Sequence, residues 1–174
     1  MQVDASGAIA ALVKARQLLV YADKGLGQGA TLIRRDWVRL APKADGDLHR
    51  NIQQGRVTML VHEIVSRARH GFFVEKGTGI YGPEGRPLNM GMLPDSGVAA
   101  IAKWIRRKGI TARKVSQAAL PWVIARSIAQ RGTPAQPSAE LAFNANRARV
   151  PQLVNAAIAR GIAELGLAAT GGRA

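Results

Sequence analysis

No cysteine occurs anywhere in this 174-residue chain. That absence removes disulfide frameworks, thiolate zinc sites and thiol nucleophiles together, and it fits a reducing cytoplasm. The chain must therefore be held by packing, and its packing material is thin. Aromatic residues make up 5% of it, alanine carries much of the 47% hydrophobic fraction, and the 19 glycines add no side chain to pack. The length suits one ordinary domain, which takes roughly two thirds of the unfolded surface out of water. The expectation is a single domain over residues 1–167 with a flexible tail over 168–174, and no internal repeat.

Hydrophobic periodicity organises the rest. Ile9, Leu12, Ala15, Leu19 and Val20 fall at helical spacings, with Lys14 and Arg16 off the stripe, which predicts a helix over 8–20. Gly25, Gly27 and Gly29 should break it, leaving 31–40 as another short helix or turn. Pro42 and the pair Asp45-Gly46 mark a loop. Over 56–66 the residues Val57, Met59, Val61 and, less cleanly, Val65 share a period-2 face, so the segment reads as a strand. Its natural partners lie near Asn51 and near Phe72 and Phe73.

Residues 77–87 are dense in turn formers and should be an exposed loop. Helices are expected over 98–107, with Gly109 just past the end, and over 122–130, with Pro121 in the first turn and Gly132 as the stop. Thr133 to Pro137 reads as a rigid linker, and Ser138 as the cap of the next helix. Pro151 opens a last helix with the stripe Val154, Ile158, Ile162 and Leu165, in which Gly161 costs roughly 1 kcal/mol relative to alanine. The first twenty residues, interrupted by Asp4, Lys14 and Arg16, lack the basic start and unbroken apolar core of a signal peptide. No run approaches about 18 apolar residues, which argues against a membrane span.

Motifs for chemistry are scarce. Gly25-Leu26-Gly27-Gln28-Gly29 lacks the spacing and the preceding strand of a dinucleotide fingerprint, and there is no G-x-x-x-x-G-K-[ST]. His49, His62 and His70 include no H-E-x-x-H; His62 and Glu63 fall on opposite faces of the expected strand, which makes His62 a sheet-surface residue rather than a ligand. A hydrolase needs a nucleophile, a base and an orienting acid. The acids are few and scattered, and only a convergence of Asp36, Glu63 and Glu75 in space would supply them.

Charge is the strongest physical signal. Lys and Arg number 25 against 11 Asp and Glu, a net charge of +14, which favours polyanions or an acidic protein face. No acid lies between Asp95 and Glu140. That interval holds Lys103, Arg106, Arg107, Lys108, Arg113 and Lys114, with Arg126 and Arg131 further on. The first six are the candidates for facing a polyanion; a solvated basic face and a charge-complementary subunit contact are the other readings.

The segment HGFFVEKGTGIYGPEGRP, from His70, resembles the HK97 gp10-like family of phage neck and tail-completion proteins, in which an aromatic-rich turn runs into V-E-x-G-T. The matching residues are Phe72, Phe73, Val74, Glu75, Gly77 and Thr78. Two further stretches agree in order. Ala41-Pro42 followed by Asp45-Gly46, Leu48 and Ile52 resembles the family's A-P…T-G-x-L-x-x-S-I. Ile124-Ala125-Arg126 through Ile128, Arg131-Gly132-Thr133 and Gln136-Pro137 resembles its helix and G-T-x-x-x-P-F. Together they span about two thirds of the chain. Asp45 stands where the family has threonine, and Ser138 where it has phenylalanine.

The resemblance implies an α+β fold, a small antiparallel β-sheet packed against several α-helices, with long loops at subunit contacts. It implies a virion protein of a tailed phage or prophage, made in the host cytoplasm, that completes the tail or joins head to tail as part of a homo-oligomeric ring. Tail termination is the neighbouring role, and a small basic DNA-binding protein acting alone is the alternative that the net charge supports. Its partners would be other neck and tail proteins: head-closure or connector proteins, the tail tube or its terminator. DNA passing through the neck is a further possible partner, and a membrane is not. No catalysis and no cofactor are implied. The candidates for the subunit interface are Phe73, Glu75, Gly77, Thr78, Tyr81, Arg86, Arg131, Thr133 and Pro137. Glycine lets such loops approach a neighbour closely, and Tyr81 offers rigid contact area.

Overall fold

The computed structural model describes residues 6–43, 46–68, 70–88, 91 and 93–167. Asp45 and the expected tail over 168–174 lie outside these residues. Over the described residues the fold is α+β, with seven α-helices and one two-stranded antiparallel sheet. The chain divides into two units. One gathers the described parts of Met1–Leu40, Asn51–Ser66 and Ala139–Ala174; the other comprises those of Ala41–Arg50 and Arg67–Ser138.

In the first unit, the expected break at Gly25, Gly27 and Gly29 does not occur. Helix α1 (Ser6–Leu40) runs through all three as one 35-residue element. The reason lies in its partner. Helix α7 (Arg149–Glu164) approaches so closely that a Cβ at Gly25 would stand 2.7 Å from the Val154 Cα and 2.9 Å from the Leu153 carbonyl oxygen. At Gly29 it would stand 2.9 Å from a Val150 methyl. Spacing of four residues puts both glycines on one helix face. Each glycine costs about 1 kcal/mol of helix propensity, which the closer packing offsets. Gly161 repeats the device from the other side, since a Cβ there would lie 2.6 Å from the Tyr21 ring. Ala22, Ala30 and Ala157 are buried in this small-residue core, with Trp37 as its bulky anchor.

Polar bonds tie the remaining ends of this unit. The Tyr21 hydroxyl donates to the Glu164 carboxylate, which, as the leading cause, raises the Tyr21 pKa above its ordinary value. Helix α6 (Ser138–Asn146) ends on the buried Asn146, whose Nδ2 donates to Asp36 Oδ2 at 2.8 Å and to the Ala142 carbonyl at 2.9 Å. That amide bond is the leading cause that holds Asp36 below the usual carboxylate value, with Arg35 and Arg39 adding to it against the opposing effect of burial.

The single strand expected over 56–66 is instead a hairpin. Strand β1 (Ile52–Thr58) pairs antiparallel with β2 (Val61–Ser66), from Ile52 opposite Ser66 to Thr58 opposite Val61, with an irregularity between Arg56 and Thr58. The turn Met59-Leu60 has neither Gly nor Asn. Leu60 sits at φ 64°, a left-handed conformation that costs an L-residue roughly 1–2 kcal/mol. A carboxylate on α1 compensates: Asp23 Oδ1 accepts the Leu60 N–H at 2.9 Å. The same side chain meets His62 Nε2 at 3.2 Å and Arg56 Nε at 3.0 Å. The Leu60 N–H is the leading cause of the lowered Asp23 pKa, reinforced by His62 and Arg56 and opposed by burial.

His62 is therefore not on a solvated sheet surface. Its side chain is 12% exposed and lies against Gly27 of α1. Arg34 Nε donates to the carbonyl of the fully buried Ile52 at 3.1 Å, and Gln54 Nε2 to the Gly27 carbonyl at 3.1 Å. The hairpin is thus bonded to one helix along its length.

The second unit holds α2 (Asp47–Arg50), α3 (Gly71–Lys76), a 3-10 turn (Gly79–Tyr81), α4 (Asp95–Lys108) and α5 (Leu120–Arg131). Phe72 and Phe73, expected to supply a strand, lie on α3. Helices α4 and α5 pack together and bury Val98, Ile105, Leu120, Ala125 and Ala129. Gly109 closes α4 in the left-handed conformation, its N–H and that of Ile110 bonded to the Arg106 and Ile105 carbonyls. No helix among the described residues is long and apolar enough to cross a membrane.

Candidate assembly surface

Two segments singled out in the sequence, the V-E-x-G-T motif with the loop after it to Pro87 and the stretch from Arg131 to Pro137, meet within the second unit. After α3 the chain turns at Gly77 (φ 74°) and runs extended through Thr78 into the 3-10 turn. After α5 it turns at Gly132 (φ 86°) and runs out through Thr133 to Pro137. The Thr78 N–H donates to the Thr133 carbonyl at 2.9 Å, and the Thr133 N–H to Thr78 Oγ1 at 2.9 Å. The two hydroxyls lie 3.0 Å apart. Gln136 N–H donates to the Val74 carbonyl at 2.8 Å, and the Ser138 hydroxyl to the Glu75 carboxylate.

The glycines are what permit this pairing. A Cβ at Gly132 would fall on the Thr78 carbonyl and 2.7 Å from the Gly79 nitrogen. One at Gly79 would fall on the Arg131 carbonyl. Both obstacles are backbone, which has no rotamer in which to retreat. The backbone at Gly132 (φ 86°, ψ −163°) also lies in a region essentially reserved for glycine.

Of the nine interface candidates, Glu75, Thr78 and Thr133 bond within this clamp, and Gly77 is buried in it against the Thr133 and Tyr81 carbonyls. Phe73, Tyr81, Arg86, Arg131 and Pro137 are exposed. The clamp carries more apolar surface than that list included. Phe72 is 63% exposed and meets Phe73 edge to face with ring centroids 5.9 Å apart; Ile80 and Leu88 are exposed as well. Phe72, Phe73, Glu84, Arg86 and Leu88 line an open groove of about 540 Å³ beside the glycine turn. Exposed aromatics on a bonded frame can bury area on a partner while losing little side-chain entropy.

The six polyanion candidates are all exposed, on the last turns of α4 and the loop after it. No group of three or more His, Asp or Glu among the described residues is arranged to hold a metal ion. Asp36 is engaged by Asn146, Arg35 and Arg39 in the first unit, and Glu75 by Ser138 in the second. Sequence reasoning missed Asp23, whose partner Leu60 is 37 residues away, and Phe72, Ile80 and Leu88, which its hydrophobicity alone marks. No family model, characterised protein or solved structure matches the chain.

Proposed function

We propose that the chain is a structural virion protein of a tailed phage or prophage, acting in tail completion or head-tail joining at the neck as part of a ring. The observation that carries the reading is the clamp. Two segments that resemble the neck-protein family are bonded to each other, and the frame they form presents Phe72, Phe73, Ile80 and Tyr81 to solvent. A monomer gains nothing from four large apolar side chains held outward, whereas a subunit contact does. The role is one of shape and contact: the proposed partners are copies of the chain and other neck and tail proteins, without catalysis or a cofactor.

Electron microscopy of lysates from the parent phage or prophage with this gene deleted tests the reading. Filled heads and unjoined tails are expected. Overlong tails would move the role to tail termination, and whole, normal particles would overturn it.

A further inference from the structure

We infer that the end of α4 and the loop after it form a binding surface for the phosphate backbone of nucleic acid. Lys103, Arg106 and Arg107 stand three and four residues apart, so they share one helix face. Lys108 follows on the last residue of the helix, and Arg113 and Lys114 lie on the loop beyond. All six are exposed, and the sequence carries no acid between Asp95 and Glu140.

The charges sit on a fixed frame. Ile105 is 1% exposed and anchors the helix end. The Ile110 N–H returns to the Ile105 carbonyl at 3.1 Å, and Gln117 Nε2 donates to the Ile110 carbonyl at 3.0 Å, closing the loop on itself. The Ser116 carbonyl then accepts the N–H groups of Ala119 and Leu120 at the start of α5. Holding cations in place before binding lowers the ordering cost of a contact that each phosphate makes only weakly.

The composition of the patch favours phosphate over an acidic protein. Protein interfaces centre on apolar area and are depleted in lysine. Here Lys103, Lys108 and Lys114 are half of the cations, and Gly109, Thr111 and Ala112 between them and Ser116 just beyond are small. Ile110 and Val115 are half-buried. Small neighbours let a backbone approach the charges, and contacts made to phosphates carry no sequence information, so binding is expected to be independent of sequence.

The test uses the full chain and a labelled random-sequence duplex, with affinity followed by fluorescence anisotropy across salt. About five phosphate contacts give a slope of roughly −4.5 in log K against log salt, or about 500-fold weaker binding between about 50 and about 200 mM. Replacing Arg106, Lys108 and Lys114 together by glutamine should reduce the slope by about 2.7. Replacing Lys14, Arg16 and Lys43 by glutamine removes the same net charge elsewhere and should leave it unchanged.

Circular dichroism of both variants checks that the fold is retained. Equal losses from the two triple variants would reduce the effect to net charge and overturn the inference. So would absence of binding at low salt, or polyglutamate competing as well as DNA. A single-stranded oligonucleotide of the same length tells which form of backbone is preferred; either preference supports the surface. The neck reading stands or falls on particle morphology and this surface on the slope, so each can fail alone.

Discussion

Replacing Gly132 by alanine should do more damage than any other single methyl group added to the second unit. The substitution forces an L-residue into a φ 86°, ψ −163° conformation, a strain of about 1–3 kcal/mol. The new Cβ also falls on the Thr78 carbonyl, so Thr78 must move, and with it the paired bonds to Thr133. Each bond lost removes about 1 kcal/mol. The combined cost is about 3–5 kcal/mol, a large share of the roughly 5–15 kcal/mol that holds a domain together. Gly109→Ala is the control. It too has a left-handed φ, 63°, but nothing lies within 4 Å of its Cβ, so only the conformational cost of about 1–2 kcal/mol remains. Urea unfolding followed by tryptophan fluorescence reads the difference, since Trp104 and Trp122 both lie in this unit. With a slope of about 2 kcal/mol per molar, the midpoint should fall by about 2 M for Gly132→Ala and by less than about 1 M for Gly109→Ala. Equal shifts would show that the close approach of the two strands of chain is not what Gly132 provides.

Gly161→Ala should destabilise the first unit by about 1–2 kcal/mol although alanine is the better helix former, because its methyl meets the Tyr21 ring; Gly7→Ala, with nothing near, should be neutral or stabilising by up to about 1 kcal/mol in thermal melts. Acid should weaken the same unit. Asp23 and Asp36 both have pKa values lowered from 3.8, so their contribution is complete above that value and is lost as pH falls through their lowered values. Melting temperatures measured from about pH 6 to about pH 2 should fall at the acid end, less steeply in Asp23→Asn, and parallel curves would refute the assignment. Tyr81→Ala should weaken assembly, read as mass in solution or joined particles, while leaving the melting temperature nearly unchanged; loss of both together would make Tyr81 a folding residue.

The parts of the fold that were legible in the sequence are those whose cause is local. Helices α4 and α5 stand within three residues of their expected ends because Gly109, Pro121 and Gly132 act on their own neighbourhoods. The glycines of α1 misled because helix breaking is only their local tendency, and the backbone of α7 overrides it from about 125 residues away. The hairpin was hidden for a similar reason. Met59-Leu60 carries no turn chemistry of its own, and the carboxylate that makes Leu60 tolerable belongs to Asp23 on α1. At the candidate surface, the two motif segments were visible in the sequence, but their pairing was not. Nothing in Thr78 or Thr133 announces that one bonds the other across 55 residues.

The first unit is assembled from both ends of the described chain, with α7 seated on Gly25 and Gly29 of α1. During synthesis α1 and the hairpin emerge well before α7, so their shared core cannot close until α7 has emerged as well. The second unit, Arg67–Ser138 with Ala41–Arg50, has all its residues out of the ribosome before then. A nascent chain therefore displays the aromatic clamp while α1 still exposes the face that α7 will cover. A chain that stops before α7 leaves that face of α1 uncovered, so α7 is the closing element of the first unit.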